Sequence, residues 1–176
     1  MAWLDKLHHP EDYVKTFLKW GFLGVLMGAI GGVLGGVFHH ALHFVTHFRS
    51  GHMWVIYLLP LGGLLTVSLY RIFGMQGNRG TNEIIDATLD GHPVSPMVAP
   101  SIFLATVITH LFGGSAGREG AALQLGGSTA SLLAKIFRLK TEERKVMVMA
   151  GMSAVFAGLF GTPLTAALFC MEFESV

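Results

Sequence analysis

The sequence is poor in charge and contains a single cysteine. Charged residues make up 13% of its 176 residues, whereas a soluble domain carries about 25%. Hydrophobic residues make up 52%, and the mean hydropathy is +0.56. This composition predicts a membrane protein. Because Cys170 has no partner in the chain, it cannot form an internal disulfide, and its apolar sequence neighbours favour a buried packing role.

The patterns of several other functional classes are also missing. The net charge of +1 provides no basic surface for a nucleic acid. The sequence has no Ser-His-Asp set, no metal triad and no phosphate-binding loop, so we expect neither an enzyme nor a cofactor. No cleavable signal peptide is evident, since the first ten residues include Asp5, Lys6 and two histidines.

Apolar segments separated by glycine-rich or charged turns fill most of the chain. We predict spans at 20–48, 53–73, 95–112, 121–137 and 146–160, with a bend at 60–63 and a short last helix at 164–171. Several are shorter than the ~20 residues that cross a bilayer, and broken helices are typical of transporters. We therefore predict an all-α membrane protein, with residues 1–176 as one membrane domain and residues 1–16 as a cytoplasmic lead-in.

Two patterns lie on the first span. Glycines recur every four residues, at Gly24, Gly28, Gly32 and Gly36. They predict a smooth stripe against which another helix packs closely. Near the end of the span, one face carries His39, His43 and His47, a spacing that could hold a metal. Since no cysteine or carboxylate accompanies them, we expect polar tips at the membrane–water interface and no metal site.

The distribution of lysine and arginine predicts the orientation. With the N-terminus in the cytoplasm, nearly all of these residues fall on the cytoplasmic side, including those of the charged connector at 138–145, for which Thr141 is the predicted N-cap. Arg49 alone falls outside, and Arg118 stays within the membrane. We therefore predict a multi-pass protein of the plasma (inner) membrane.

The most informative stretch is the polar, glycine-rich segment 113–122, between two apolar segments. It contains Arg118 and Glu119, and charges at membrane depth are costly and usually serve an ion or proton pathway. A helix starting near Gly120 would direct its positive end at this loop, which favours an anion. We predict an anion-binding turn that carries its own carboxylate. The alternative is a structural ion pair between Arg118 and Glu119.

A second glycine-rich polar turn, at 74–83, precedes a short helix predicted at 83–89. Thr81 or Asn82 is the expected N-cap of this helix. Arg79 either draws anions in from the cytoplasm or follows the positive-inside rule. Glu83 and Asp86 are expected to serve the polar end of the helix.

These residues resemble a known family, the CLC chloride channels and proton-coupled anion antiporters. Gly117-Arg118-Glu119-Gly120, followed by Gln124-Leu125-Gly126-Gly127, is similar to the family's Gly-Lys/Arg-Glu-Gly-Pro anion loop and the helix after it. Residues 80–89 correspond to its first anion loop and short helix, and residues 137–140 and 162–172 to its later connector and helix. The resemblance implies a CLC-like bundle of tilted and broken helices, the first of two inverted repeats.

The resemblance also implies the functional residues. Glu119 would be the gating glutamate, which leaves an anion position when it is protonated. The implied anion-binding residues are Gly117, Arg118, Gly120 and Ala121 in one loop, with Asn78, Gly80, Thr81 and Asn82 in the other. The implied partners are halide anions, protons and the lipid bilayer. The protein would be a dimer, and a second half, absent from these 176 residues, would complete the anion site.

Three departures from the family pattern resemble its fluoride/proton antiporter branch. The first loop lacks the family's coordinating serine and its proline. Ala121 replaces the usual proline, which we expect to free one more backbone N–H at the anion position. Phe173 stands where the chloride/proton exchangers carry a second glutamate. We therefore expect fluoride/proton antiport; the alternatives are a passive chloride channel and a non-transporting half-transporter fragment or subunit.

Overall fold

A computed structural model describes residues 10–77 and 79–172, and within these ranges every regular element is a helix. The α-helices are α1 Pro10–Gly51, α2 Leu59–Ile72, α3 Thr81–Asp90, α4 Val98–Leu111, α5 Arg118–Ile136, α6 Thr141–Phe160 and α7 Pro163–Glu172, with a 3₁₀ helix at Met53–Leu58. The predictions made for Asn78, for Phe173 and for the lead-in before residue 10 lie outside the described residues.

Among the described residues, two helical stretches are long and apolar enough to cross a membrane, Tyr13–Gly51 and Met53–Ile72. The first continues without a break from the lead-in, so residues 10–16 form the first turns of α1. Helices α4 and α7 are apolar but have only 14 and 10 residues, too few to span. Helices too short to cross a membrane therefore follow the two candidate spans, and the sequence predicted that several helices would be this short.

Residues 60–63, where a bend was predicted, lie in the first turns of α2. The chain changes from 3₁₀ to α geometry between Leu58 and Leu59, and Pro60 occupies the first turn of α2. Proline is tolerated there because first-turn N–H groups have no helical acceptor. Gly62 instead permits close packing, since a Cβ placed on it would lie 2.6 Å from the Phe112 ring.

The tightest contact of α1 is made by a row of glycines next to the predicted stripe. A Cβ placed on Gly24, Gly28, Gly32 or Gly36 would meet no described atom within 4 Å. The close approach occurs at Gly31 and Gly35, where a Cβ would lie 2.5 Å from Ala154 Cβ and 2.8 Å from the Val155 carbonyl oxygen. These two glycines share the face of α1 that carries the buried side chains Leu23, Met27, Phe38 and Leu42. This apolar face of α1 packs against α6, and Gly31 and Gly35 on it allow the two helices to approach closely.

Helix α5 is the buried centre of the bundle. Residues 121–128 are all buried, and a Cβ placed on Gly126 would lie only 2.2 Å from the carbonyl oxygen of Gly151 on α6. The backbones of α5 and α6 are therefore in direct contact at this crossing. This packing fixes the direction of α5 and hence the position of its N-terminus.

Polar contacts place three segments on one side of the bundle. Lys19 of α1 forms an ion pair with Glu143 of α6, and Arg144 Nη1 donates to the Gly91 carbonyl oxygen at 3.1 Å. The hydrogen bond from Lys19 lowers the pKa of Glu143, and the Lys140 N–H, which donates to the same carboxylate, adds to the effect. The start of α1 at Lys19, the turn at Gly91 and the charged connector thus share one side, as the orientation argument requires.

Two N-cap predictions were wrong. Helix α3 is capped by Gly80, whose φ of 67° is the left-handed conformation that favours glycine, so Thr81 and Asn82 belong to its first turn. Helix α6 is capped by Lys140, so Thr141 is its first residue. In α6 the Glu143 carboxylate accepts a hydrogen bond from the Lys140 backbone N–H at 3.1 Å. Glu143 is the third residue after Lys140, the spacing of a capping box.

Candidate functional site

The N-terminus of α5 carries the charged pair. The helix begins at Arg118 with Gly117 as its N-cap, so Arg118 and Glu119 lie in its first turn, not in a loop before a helix starting near Gly120. The backbone N–H groups of a first turn have no acceptor within the helix. Their partial positive charge favours an anion or a carboxylate, and the exposed Glu119 is positioned to supply the latter.

The structural ion-pair alternative finds no support in this geometry. Arg118 and Glu119 both belong to the described part of the chain, and no ion pair joins them there. Both residues are exposed. The carboxylate of Glu119 therefore does not serve as a structural counter-ion to its neighbour.

The N-termini of α3 and α5 meet. A Cβ placed on Gly120 would lie 2.9 Å from the Thr81 hydroxyl oxygen, so only glycine permits this approach without a shift. Gln124, one turn further along α5, donates from Nε2 to the Gly120 carbonyl oxygen at 3.2 Å and to Thr81 Oγ1 at 3.4 Å. The structure thus brings together Thr81 and Gly120, two residues that the sequence assigned to separate anion loops.

The other proposed ligands divide into two groups. Gly80 and Asn82 flank Thr81 at the start of α3 and therefore lie beside the junction. Ala121 is different, because its backbone N–H already donates to the Gly117 carbonyl oxygen at 3.4 Å. The expectation that Ala121 frees an additional N–H was therefore wrong: replacing proline restores a helical hydrogen bond instead.

Arg79 forms an ion pair with the helix that follows it, α3. Its Nη2 atom lies 2.5 Å from Asp86 Oδ2 on α3. The pair explains Asp86 as part of the polar end of the short helix, as expected from the sequence. It also leaves Arg79 partly neutralised, which weakens the interpretation that Arg79 draws anions in from the cytoplasm.

Sequence reasoning missed the role of Arg49. It identified this residue only as the single cation on the outer side. In the structure, Arg49 Nη1 donates to the His110 carbonyl oxygen at 3.2 Å, at the end of α4. The next turn passes through Gly113, whose φ is 85°, and a Cβ there would lie 3.6 Å from the Arg49 guanidinium. Arg49 therefore helps hold the loop that leads into α5.

A cavity of about 460 Å³ reaches the junction from one side. Its lining includes Tyr70 and Arg71 from the end of α2, together with Gly80 and Gln124. Arg71 gives this cavity a charged hydrogen-bond donor beside the first turn of α3, whereas the amide N–H groups of Gln124 are already engaged with Gly120 and Thr81. A small anion entering it would approach the first turn of α3 directly.

Comparison with known proteins identifies the family. A family model described as "Voltage gated chloride channel" matches residues 62–176. The chain belongs to this family. It is also 41% identical, over 172 residues, to a "Chloride/fluoride channel protein" of Pseudomonas syringae pv. tomato (strain ATCC BAA-871 / DC3000), covering 96% of this chain and 38% of that protein. The predicted family is therefore confirmed.

The fold is confirmed by a solved structure. The crystal structure of a CLC-type fluoride/proton antiporter superimposes with a TM-score of 0.82 at 34% identity, covering 89% of this chain and 40% of that one. The protein is thus an all-α integral membrane protein of the CLC type. The chain spans about two fifths of the length of the relatives that it matches.

Proposed function

We propose that this chain is part of a proton-coupled halide transporter that exchanges fluoride for protons. In this proposal the first turns of α3 and α5 bind the anion, and the Glu119 carboxylate competes for the same position until it is protonated. The observation that carries the proposal is the contact between Gly120 and Thr81, with Gln124 hydrogen-bonded across it. Two convergent helix N-termini supply backbone donors without side-chain bulk.

The fluoride preference is part of the same proposal. Fluoride is small and strongly hydrated, so a dry site must offer it close donors to offset the lost hydration. The short Thr81 hydroxyl and the neighbouring Asn82 amide add donors to those of the backbone. The solved relative named as a fluoride/proton antiporter, at 34% identity, also favours this choice.

Several further features belong to the proposal. A second half of the protein completes the anion site, because one half leaves the backbone groups of the pathway without an opposing wall. The N-terminus lies in the cytoplasm of a dimeric inner-membrane protein, and no chemical reaction is catalysed. The second candidate is a passive chloride channel, favoured by the relative whose name combines chloride, fluoride and channel.

Anion efflux from proteoliposomes tests the function. The complete protein is loaded with fluoride or chloride, and efflux of the anion and uptake of protons are recorded together. We expect a fluoride-to-chloride efflux ratio above one, with proton uptake that stops when the anion gradient is removed. A ratio at or below one, or anion flux without proton movement, would favour the channel.

Gln124 offers a test of the junction itself. Replacing it with leucine removes the amide that links Gly120 to Thr81, so the two N-termini lose their shared partner. We expect fluoride efflux to fall about tenfold, the factor that corresponds to ~1.4 kcal/mol. Thr129→Val is the control, because Thr129 also hydrogen-bonds within α5, to the Leu125 carbonyl oxygen at 2.7 Å. Equal efflux rates in the two variants would remove Gln124 from the site.

A further inference from the structure

The turn between α5 and α6 carries an excess of positive charge. Residues 135–145 contain five cations and two acids, in a chain whose whole net charge is +1. The two acids are already paired with cations of α1 and α6, Lys19 and Lys145. Within the described residues no ion pair involves the three exposed cations of the turn, Lys135, Arg138 and Lys140. We call these three residues the basic turn; they form a positive surface without acidic partners.

Arg138 has a backbone conformation that favours glycine. Its φ is 51°, and in the described part of the chain it is the one non-glycine residue with a positive φ. Its N–H donates to the Lys135 carbonyl oxygen at 3.2 Å, and the Leu139 N–H donates to that of Ala134 at 2.9 Å. This pattern ends a helix and usually carries glycine at the position of Arg138. The strain of an arginine there indicates that its side chain has a role beyond ending α5.

Apolar side chains are exposed directly beside this charge. Ile136 and Phe137 at the end of α5 are exposed, as is Phe22 of α1. The rings of Phe22 and Phe137 meet edge to face, with their centroids 6.3 Å apart, so α1 and the end of α5 share one apolar surface. In a membrane protein, a surface that is apolar on one side and cationic on the other matches the boundary between acyl chains and headgroups.

Helix α1 adds a further cation to this surface. Lys15, Lys19 and Phe22 are spaced by four and three residues, so they share one face of α1. On this face Phe22 contacts Phe137 at the end of α5, and Lys19 pairs with Glu143 at the start of α6. Lys15 lies one turn before Lys19, is exposed and has no ion pair among the described residues. The positive charge therefore continues from the basic turn onto α1.

We propose that the basic turn and the apolar residues beside it bind an anionic phospholipid. Arg138, with the lysines on either side of it, binds the phosphate of the headgroup, and the Phe22–Phe137 pair packs against an acyl chain. A guanidinium suits a phosphate because it can donate to two of its oxygens at once. A neutral lipid would leave the cations without a counter-charge, and a free phosphate would leave the apolar side chains without a partner. The assignment does not depend on the substrate or direction of transport.

An acidic segment of a soluble protein fits this surface less well. Such a segment would match the charge of the basic turn. Ile136 and Phe137, however, end a helix that is the buried centre of the membrane domain, and their exposed side chains continue onto α1, a candidate span. A soluble partner would have to displace lipid from these side chains, whereas a phospholipid covers both parts of the surface.

Native mass spectrometry of the detergent-solubilised complete protein tests the lipid site. The protein is titrated with phosphatidylglycerol, whose headgroup is anionic, or with phosphatidylcholine of the same acyl chains, and the dissociation constants of the first bound lipid are compared. Arg138→Gln is the test variant. Lys145→Gln is the matched control, because it removes the same charge from a lysine whose Nζ already lies 3.2 Å from Glu142. Glycerol 3-phosphate, a headgroup without chains, is added as a competitor.

We expect the unaltered protein and Lys145→Gln to prefer phosphatidylglycerol, and Arg138→Gln to lose about fivefold of that preference, the factor that corresponds to ~1 kcal/mol for one cation at an anionic surface. Arg138→Lys should keep most of the preference, because it keeps the charge. An equal preference in Arg138→Gln and Lys145→Gln would overturn the proposal. Competition by glycerol 3-phosphate at the concentrations at which the lipid binds would indicate a site for soluble phosphate and would also overturn it.

Arg138→Gly separates lipid binding from a structural role. Glycine relieves the strained φ of this position, so we expect the thermal unfolding midpoint in a neutral detergent to rise, while the preference for phosphatidylglycerol falls as in Arg138→Gln. A midpoint that falls together with the lipid preference would mean that the Arg138 side chain holds the end of α5 in place. The loss of lipid would then follow from a disturbed helix end, and Arg138 would not be a lipid ligand.

Discussion

Replacing Glu119 with glutamine in the complete protein is expected to abolish the proton movement of the proposed halide/proton exchange. The amide has the shape of the acid but cannot take up and release a proton at working pH. Glu119 lies in the first turn of α5, next to the Gly120–Thr81 contact. A neutral glutamine there has no negative charge with which to displace the anion, and it cannot carry a proton. Halide flux then either stops or continues without protons.

The measurement is proton uptake into proteoliposomes driven by an outward fluoride gradient. Glu142→Gln is the matched control, because Glu142 is the second residue of α6 as Glu119 is of α5. Its side chain is exposed and lies 3.2 Å from Lys145, a surface pair worth at most ~1 kcal/mol. The control should transport protons like the unaltered protein. Intact pH-driven halide uptake by the Glu119→Gln variant would exclude Glu119 from the mechanism.

The helical segments and the two polar turns could be predicted because both depend on local sequence. Apolar runs of about 14 to 20 residues, interrupted by glycine and charge, predict broken helices wherever they occur. The helix starts were less predictable. Gly80 displaced Thr81 as the cap of α3 because the chain turns there with positive φ, and no propensity scale reports that requirement for a particular glycine.

The meeting of α3 and α5 depends on contacts between distant residues. Thr81 and Gln124 are 43 positions apart, and nothing in the spacing of either loop specifies that the two approach each other; only the family resemblance implied it. Arg49 illustrates the same limit. Counting charges assigned it a side of the membrane, whereas its hydrogen bond to the end of α4 depends on how α1 and α4 pack.

The α1 glycines show that a sequence repeat does not identify which face of a helix contacts its neighbour. A four-residue repeat identifies a stripe but not the face that the neighbouring helix covers. On α1, two rows of glycines lie about 100° apart around the axis. The large buried side chains Met27 and Phe38 decide between the rows, because their face carries Gly31 and Gly35. Among the described residues, the row that was easier to recognise in the sequence makes the looser contact.

Substituting Gly126 with alanine is expected to be the most damaging single methyl addition in the bundle. The new Cβ would lie 2.2 Å from the Gly151 carbonyl oxygen and 2.7 Å from its carbonyl carbon. Backbone atoms of a packed helix cannot rotate away as a side chain can, so α5 and α6 must separate. Overpacking of a core typically costs about 1–3 kcal/mol, and we expect about 3 kcal/mol or more here.

Gly36→Ala provides the comparison, because its Cβ would meet no described atom within 4 Å. Both substitutions introduce the same methyl group within a helix and gain about 1 kcal/mol of helix propensity, so the difference between them reports the α5–α6 contact alone. The measurement is the thermal unfolding midpoint of the detergent-solubilised complete protein, with the fraction eluting as folded protein in size-exclusion chromatography. Gly36→Ala should match or exceed the unaltered midpoint, and Gly126→Ala should fall well below it. Equal midpoints for the two variants would mean that the backbones of α5 and α6 do not touch at this crossing, and the position of the α5 N-terminus would need another explanation.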